Sequence, residues 1–195
     1  MNSRVRPATP EDAKDIARIH ARSWRTAYRG LLPQGYLDAM SPFVLTVRWQ
    51  KRLRWDSRRP DRGEPDIVVV EHEGQVAGFA ELGPCVDDSD LIGFAGEVNM
   101  LYVEPDLCGR GLGRHLLEHG LRTLAEREFF WVVIWVLEDN HRARRFYERM
   151  GLRWDTAIRE DRFVNERVSV IRYAMALNPV VDFAALARGG VVKAT

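Results

Sequence analysis

Cysteine is nearly absent from this chain: two residues in 195, Cys85 and Cys108. That is too few for a disulfide framework and fits a reduced, cytoplasmic setting. An excess of charge of one sign is missing as well. Lysine plus arginine number 29 against 28 acidic residues, a net charge of +1. No broad field is therefore expected to draw in nucleic acid or a membrane surface. Lysine is scarce within the basic set, 3 residues beside 26 arginines. Arginine suits bidentate contact with carboxylates and phosphates, although genome composition accounts for such a bias more simply. Long hydrophobic runs are lacking too. The longest, Phe129 to Leu137, is too short to span a bilayer. The N-terminal stretch MNSRVRPATPEDAKD is polar and charged, unlike a secretory signal. Repeats and interdomain linkers are not visible. What is present is a 46% hydrophobic composition, enough for a real core in a length that suits one domain. That domain is expected over residues 1–177, with a weakly patterned tail at 178–195.

Periodicity sets the elements. Residues 3 to 7 suit a first strand. Thr9, Pro10 and Asp12 read as N-cap, N1 and N3 of a helix, continued by Ile16, Ile19, His20, Ser23, Trp24 and Ala27. A second helical pattern runs from Ser41-Pro42 through Leu53 to Trp55. After a polar loop at 57–66, Ile67–Glu71 and Val76–Leu82 form a hairpin around Glu73-Gly74. A loop from Gly83 to Gly96 carries Asp87, Asp88 and Asp90. Glu97–Val103 is a strand, and Leu112, Leu116, Leu117, Leu121 and Leu124 mark a helix face extending to Glu128. Trp131–Leu137 is continuously apolar, as in a strand buried on both faces. Asp139 or Asn140 caps a helix over His141–Met150 that stops at Gly151. Strands near 152–158 and 167–176 complete a mixed α/β sheet covered by helices.

The segment from Val98 to Arg114 carries the chemistry. A strand leads through a turn into Gly109-Arg110-Gly111-Leu112-Gly113-Arg114 and a helix. Such an entry aims free N–H groups and the positive helix end at one spot, a site for phosphate or pyrophosphate. A nucleotide P-loop needs Lys-Ser/Thr after the last glycine, but Arg114-His115 follows here. A dinucleotide fold needs a strand-borne acid about 20 residues on, where this chain has a helix and then a purely apolar strand. A glycine turn without a ligand is the plain alternative.

With residues 131–154, WVVIWVLEDNHRARRFYERMGLRW, the loop resembles the GNAT superfamily of acetyl-CoA-dependent N-acetyltransferases. The matching features are the strand Glu97–Val103, the loop Gly109–Arg114 and the pattern Asn140-x-x-Ala143-x-x-Phe146-Tyr147-x-x-x-Gly151. The match covers residues 67–175 and, more loosely, the N-terminal helices. The resemblance implies a mostly antiparallel sheet with acetyl-CoA in a V-shaped opening between Glu97–Val103 and Trp131–Leu137. It implies that the backbone of Leu101, Tyr102 and Val103 pairs with the pantetheine arm. Gly109, Arg110, Gly111, Leu112, Gly113 and Arg114 would cradle the pyrophosphate, and Asn140 and Tyr147 would meet the pantetheine and the thioester sulfur. Cys108 stands where the family usually has Gln or Arg, which leaves a backbone cradle intact. Glu97 lies where many members carry the catalytic base, and Tyr147 would assist the leaving thiolate.

The implied reaction is acetyl transfer to a primary amine of a small molecule or peptide by direct attack. No metal, nucleic acid or membrane is involved, and a homodimer is expected. A CoA-binding module without catalysis is the alternative on the same fold. An amine must be neutral to attack, so a base is needed. Glu97 among apolar neighbours suits a carboxylate of raised pKa; a solvated strand end is the plain alternative. For Tyr147 that alternative is a core aromatic. The acceptor is expected between the first two helices and the loop 83–96. Asp87, Asp88 and Asp90 hint at a cationic amine, and His20, Trp24 and Tyr28 are either cleft wall or core. His115-x-x-Glu118-His119 matches an inverted zinc-protease pattern, but its helix must bury leucines against the sheet. Seven basic residues between Arg48 and Arg62, interleaved with Trp49 and Trp55, fit a solvated helix face better than a nucleic-acid patch.

Overall fold

The computed structural model describes residues 3–56, 66–163 and 166–177. The tail 178–195 and most of the polar loop, 57–65, lie outside the described residues. Seven strands form one sheet in the order β1-β2-β3-β4-β5-β7-β6. They are β1 (Ser3–Pro7), β2 (Asp66–His72), β3 (Gln75–Pro84), β4 (Ala95–Val103), β5 (Trp131–Leu137), β6 (Arg153–Phe163) and β7 (Glu166–Ala176). Every pairing is antiparallel except β4 with β5. The helices are α1 (Ala13–Ala27), α2 (Gln34–Asp38), α3 (Pro42–Asp56), α4 (Leu112–Glu126) and α5 (His141–Arg149).

Local chemistry starts and stops these elements. The Thr9 N–H donates to Asp12 Oδ2 at 2.7 Å, closing a 3-10 turn at Pro10–Asp12 that leads into α1. Asn140 Oδ1 accepts from the Ala143 N–H at 3.1 Å and caps α5. Gly151, at φ +94°, follows the end of that helix. The short α2, between Pro33 and Ser41, was not anticipated. The loop before β4 is shorter at both ends than expected, because β3 reaches Pro84 and β4 begins at Ala95.

The two sheet faces bury different sets. Leu112, Leu116, Leu117 and Leu124 of α4 and Tyr147 of α5 pack on Val68, Val70, Ala80, Leu82, Val132 and Ile134. On the opposite face α1 and α3 meet over β2 and β3, with Ile16, Ile19, Leu45, Trp49 and Leu53 against Val69 and Phe79. Each fully buried leucine contributes about 1.5–3 kcal/mol. Gly120 on α4 lets the helix approach the sheet: a Cβ there would lie 2.8 Å from Leu82 Cδ2.

One irregularity positions the site. Met100 opposes Glu81 and Val98 opposes Leu82, so Asn99 is an extra residue on β4. Such a bulge bends its strand and re-aims the flanking side chains. Pairing of β4 with β5 covers only Ala95–Glu97 and Trp131–Val133. Beyond it the two strands part into a V.

Candidate functional site

The V opens into a cleft of about 820 Å³ lined by β4 from Glu97 to Val103, β5 from Ile134 to Leu137, the glycine loop, α1 and α5. One half is built from backbone. The Glu104 N–H donates to Ala77 O at 2.8 Å, and the β3–β4 register fixes the alternation from there. The main-chain groups of Tyr102 face Phe79 on β3, whereas those of Leu101 and Val103 face the opened side. Ser23 Oγ already donates to Val103 O at 3.1 Å. At the far end, Gly109 and Gly111 have φ of +84° and +83°, the left-handed region that disfavours a Cβ. The first bond of α4 runs from the His115 N–H to Gly111 O at 3.0 Å. The N–H groups of Leu112, Gly113 and Arg114 therefore have no carbonyl one turn back.

Side chains around this cradle are occupied elsewhere or exposed. Arg114 Nε pairs with Glu118 at 2.6 Å. Cys108 is exposed, with its Sγ 3.7 Å from Glu104 O. Buried Glu104 takes both Arg18 and Arg22, which ties α1 to the turn below the loop. Asn140 is buried on the cleft wall; its oxygen caps α5 and its NH2 has no partner among the described residues. Tyr147 lines the cleft from α5. Burial pushes its phenol far above the ordinary value, so it stays a protonated donor.

The other half is built from side chains. Glu97 lies at the point where β4 and β5 part and is 9% exposed. Burial first, then the charge of Asp88, pushes its carboxyl up to about 7, while Arg159 pulls the other way. Trp24 of α1 and Tyr28, just after its end, form one wall, with ring centroids 4.9 Å apart. Asp87, Trp135, Arg159, Asp161 and Phe163 form the other. Arg159 lies with its Cζ 4.3 Å over the Trp135 ring and its Nε 3.1 Å from Asp161 Oδ1. Behind this wall Arg172 holds Asp88, Asp90 and Asp155 at 3.2, 3.2 and 2.7 Å. The Trp135 indole N–H donates to Asp88 at 3.0 Å.

The residues assigned to the donor, with Glu97 and Tyr147, lie on this cleft or its glycine rim, with one correction: the Tyr102 backbone, expected to pair with the pantetheine arm, is hydrogen-bonded to β3 instead. The acceptor-side expectations change at α3, Asp88 and Asp90, and the alternatives left open at other residues are decided. His20 is core: it stacks on Tyr102 at 5.5 Å, accepts from the Trp49 indole at 3.3 Å, and burial lowers its pKa to about 4. The second long helix, α3, packs behind α1 rather than on the cleft. Of the three aspartates only Asp87 lines the cleft, because Asp88 and Asp90 are drawn to Arg172. His115 Nδ1 lies 2.7 Å from Ser3 Oγ. Among the described residues no cluster of three or more His, Cys, Asp or Glu is arranged to hold a metal. Arg52, in the basic stretch, pairs with buried Glu81 at 2.6 Å. The wall made by Trp135, Arg159, Asp161 and Phe163 was not foreseen. Its signal is the i, i+2, i+4 spacing of the last three on β6.

Residues 21–152 match the model of the acetyltransferase (GNAT) family. The chain is 32% identical over 136 residues to the uncharacterized N-acetyltransferase YuaI of Bacillus subtilis, covering 70% of this chain and 72% of that one. Its fold is similar to that of the paia N-acetyltransferase of Thermoplasma acidophilum, solved with coenzyme A. The TM-score is 0.68 at 16% identity, covering 88% of this chain and 98% of the other. It is also similar to yncA of Salmonella typhimurium, solved with acetyl-CoA, with a TM-score of 0.68 at 21% identity and coverage of 91% and 95%.

Proposed function

This chain belongs to the acetyltransferase (GNAT) family and is an N-acetyltransferase, and on that premise we propose that it moves an acetyl group from acetyl-CoA to a primary amine by direct attack. The observation that carries this is Glu97, nearly buried where β4 and β5 part, with its carboxyl near neutrality.

The residues present fit the donor. The outward main-chain groups of Leu101 and Val103 suit the amides of a pantetheine arm, as an added strand would. The Tyr102 backbone is turned to β3 and its ring packs on His20 and Phe79, so it takes no part in that pairing. The free N–H groups from Leu112 to Arg114 suit a pyrophosphate. The flanking Gly109, Arg110 and Gly111 keep the approach open. Asn140 offers its NH2 to the arm. The structural relatives solved with coenzyme A or acetyl-CoA support this placement.

In the reaction, Glu97 accepts the proton of the attacking ammonium, directly or through water. The amine nitrogen then bonds to the thioester carbonyl carbon. The N–H of Leu101 or of a neighbour would meet the developing oxyanion. The C–S bond breaks as the carbonyl re-forms; the Tyr147 hydroxyl gives its proton to the leaving sulfur and is reprotonated by the second proton released from the nitrogen, which ends as the neutral amide.

The acceptor enters between Trp24, Tyr28 and the Asp87 loop. Among the described residues no helix is long and apolar enough to cross a membrane. Exposed Trp154 and Ile158 on β6, the edge strand, support the expected homodimer. The test is free-thiol release from acetyl-CoA with a panel of amines. Amine-dependent release is expected, whereas tight acetyl-CoA binding without turnover on any amine would favour a binding module.

A further inference from the structure

We propose that the acceptor carries a carboxylate as well as its amine, on one small apolar molecule, and that Arg159 is the residue that recognises the carboxylate. The inference rests on the acetyl-transfer reading of the cleft and names the class of molecule that fills its acceptor half.

The contrast between two arginines carries it. Arg172 is saturated: Nε meets Asp155, and the two Nη atoms meet Asp88 and Asp90, with the side chain only 10% exposed. Arg159 is held at two points and its side chain is 36% exposed. Its flat face rests on Trp135 and its Nε on Asp161. Its two Nη atoms have no acceptor among the described residues, and the residue lines the same cleft as Glu97. A guanidinium held in place by its face and its Nε presents the remaining planar fork, which matches a carboxylate. Holding the group in advance also lowers the ordering cost of binding.

The surrounding charges point the same way. Arg114, Arg142 and Arg149 line the cleft from α4 and α5, on the donor side. On the acceptor side Arg159 stands with Asp87, Glu97 and Asp161. Asp88, Asp90 and Asp155, which would otherwise favour a polycation, are gathered by Arg172 behind the wall. Asp161 is paired with Arg159, so the guest meets the carboxylates of Glu97 and Asp87 for its amine and the open guanidinium edge of Arg159 for its carboxylate. Trp24, Tyr28, Leu32 and Phe163 give its body apolar walls.

The test compares kcat/KM for amino acids and their decarboxylated amines: phenylalanine against phenethylamine, tryptophan against tryptamine, and 4-aminobutyrate against propylamine. At least one amino acid is expected to exceed its amine by about ten- to hundredfold, the range of a hydrogen bond to a charged group. Arg159→Met should bring that ratio to about one. Arg159→Lys, which keeps the charge and loses the fork, should leave an intermediate ratio. Because the ratio is internal to each variant, a general loss of folded protein does not move it. Amines that equal or exceed all their amino acids would overturn the proposal while leaving acetyl transfer standing. So would Arg159→Met lowering both members of a pair by the same factor. No thiol release with any acceptor would overturn acetyl transfer as well.

Discussion

The two halves of the cleft are made of different material. The donor half is main chain: the outward edge of β4 at Leu101 and Val103, and the N-terminus of α4 behind Gly109 and Gly111. The acceptor half is side chains from α1, the β3–β4 loop, β5 and β6, set around a nearly buried carboxylate. A backbone cradle tolerates changes of side chain as long as φ is kept. A side-chain pocket depends on each group and can change its guest by substitution alone. One fold can therefore keep its donor while its acceptor varies.

Substitutions should separate the halves. The largest effect is expected from Glu97→Gln, which removes the proposed base. A loss in kcat/KM of about 10²–10⁴ is expected, with acetyl-CoA affinity by calorimetry held within about twofold. The same change carries a stability signature. Burial raises the Glu97 pKa from 4.5 to about 7 in the folded state. Its favourable contribution is thus present below about 4.5 and lost as pH rises through 7. The Tm of Glu97→Gln relative to the parent should be higher at pH 8.5 than at pH 5.

Tyr147→Phe comes next. Its hydroxyl would act chiefly when sulfur becomes anionic, so kcat should fall by about ten- to a hundredfold and acetyl-CoA affinity by much less. Equal falls in both would make it only an anchor. Gly111→Val tests the backbone half: forcing a β-branched residue to φ near +83° costs about 1–2 kcal/mol. That should weaken acetyl-CoA binding by about tenfold and spare the choice among amines. Cys108→Ala should be the smallest, within about twofold on all parameters, because the thiol is exposed and the cradle is main chain. A large loss there would break the distinction between the halves.

The same division explains what the sequence made legible. The glycine loop, the Asn140 cap and the leucine face of α4 are local patterns, and each falls where its spacing puts it. Trp131–Leu137 reads as a buried strand because both its faces are covered. The α2 turn escapes because Gln34–Asp38 is too short to show a helical period. β6 is read short because Arg153–Phe163 is an edge strand with few buried positions. The acceptor wall is harder, since its members lie on segments that only the sheet order β4-β5-β7-β6 brings together. The bulge at Asn99 is a matter of register between two strands and leaves no mark on composition. His20 shows the converse: it shares a helix face with Trp24, yet the Trp49 indole and the Tyr102 ring enclose it in the core.

The central claim is that the cleft joins a backbone-bound thioester to an amine deprotonated by Glu97. It is tested most directly by the pH dependence of kcat/KM for any amine that turns over, measured for the parent and for Glu97→Gln. The account predicts an acid limb with an apparent pKa of about 7 in the parent, absent from the variant, whose residual rate rises with pH as more amine is neutral. The same limb in both proteins would contradict it.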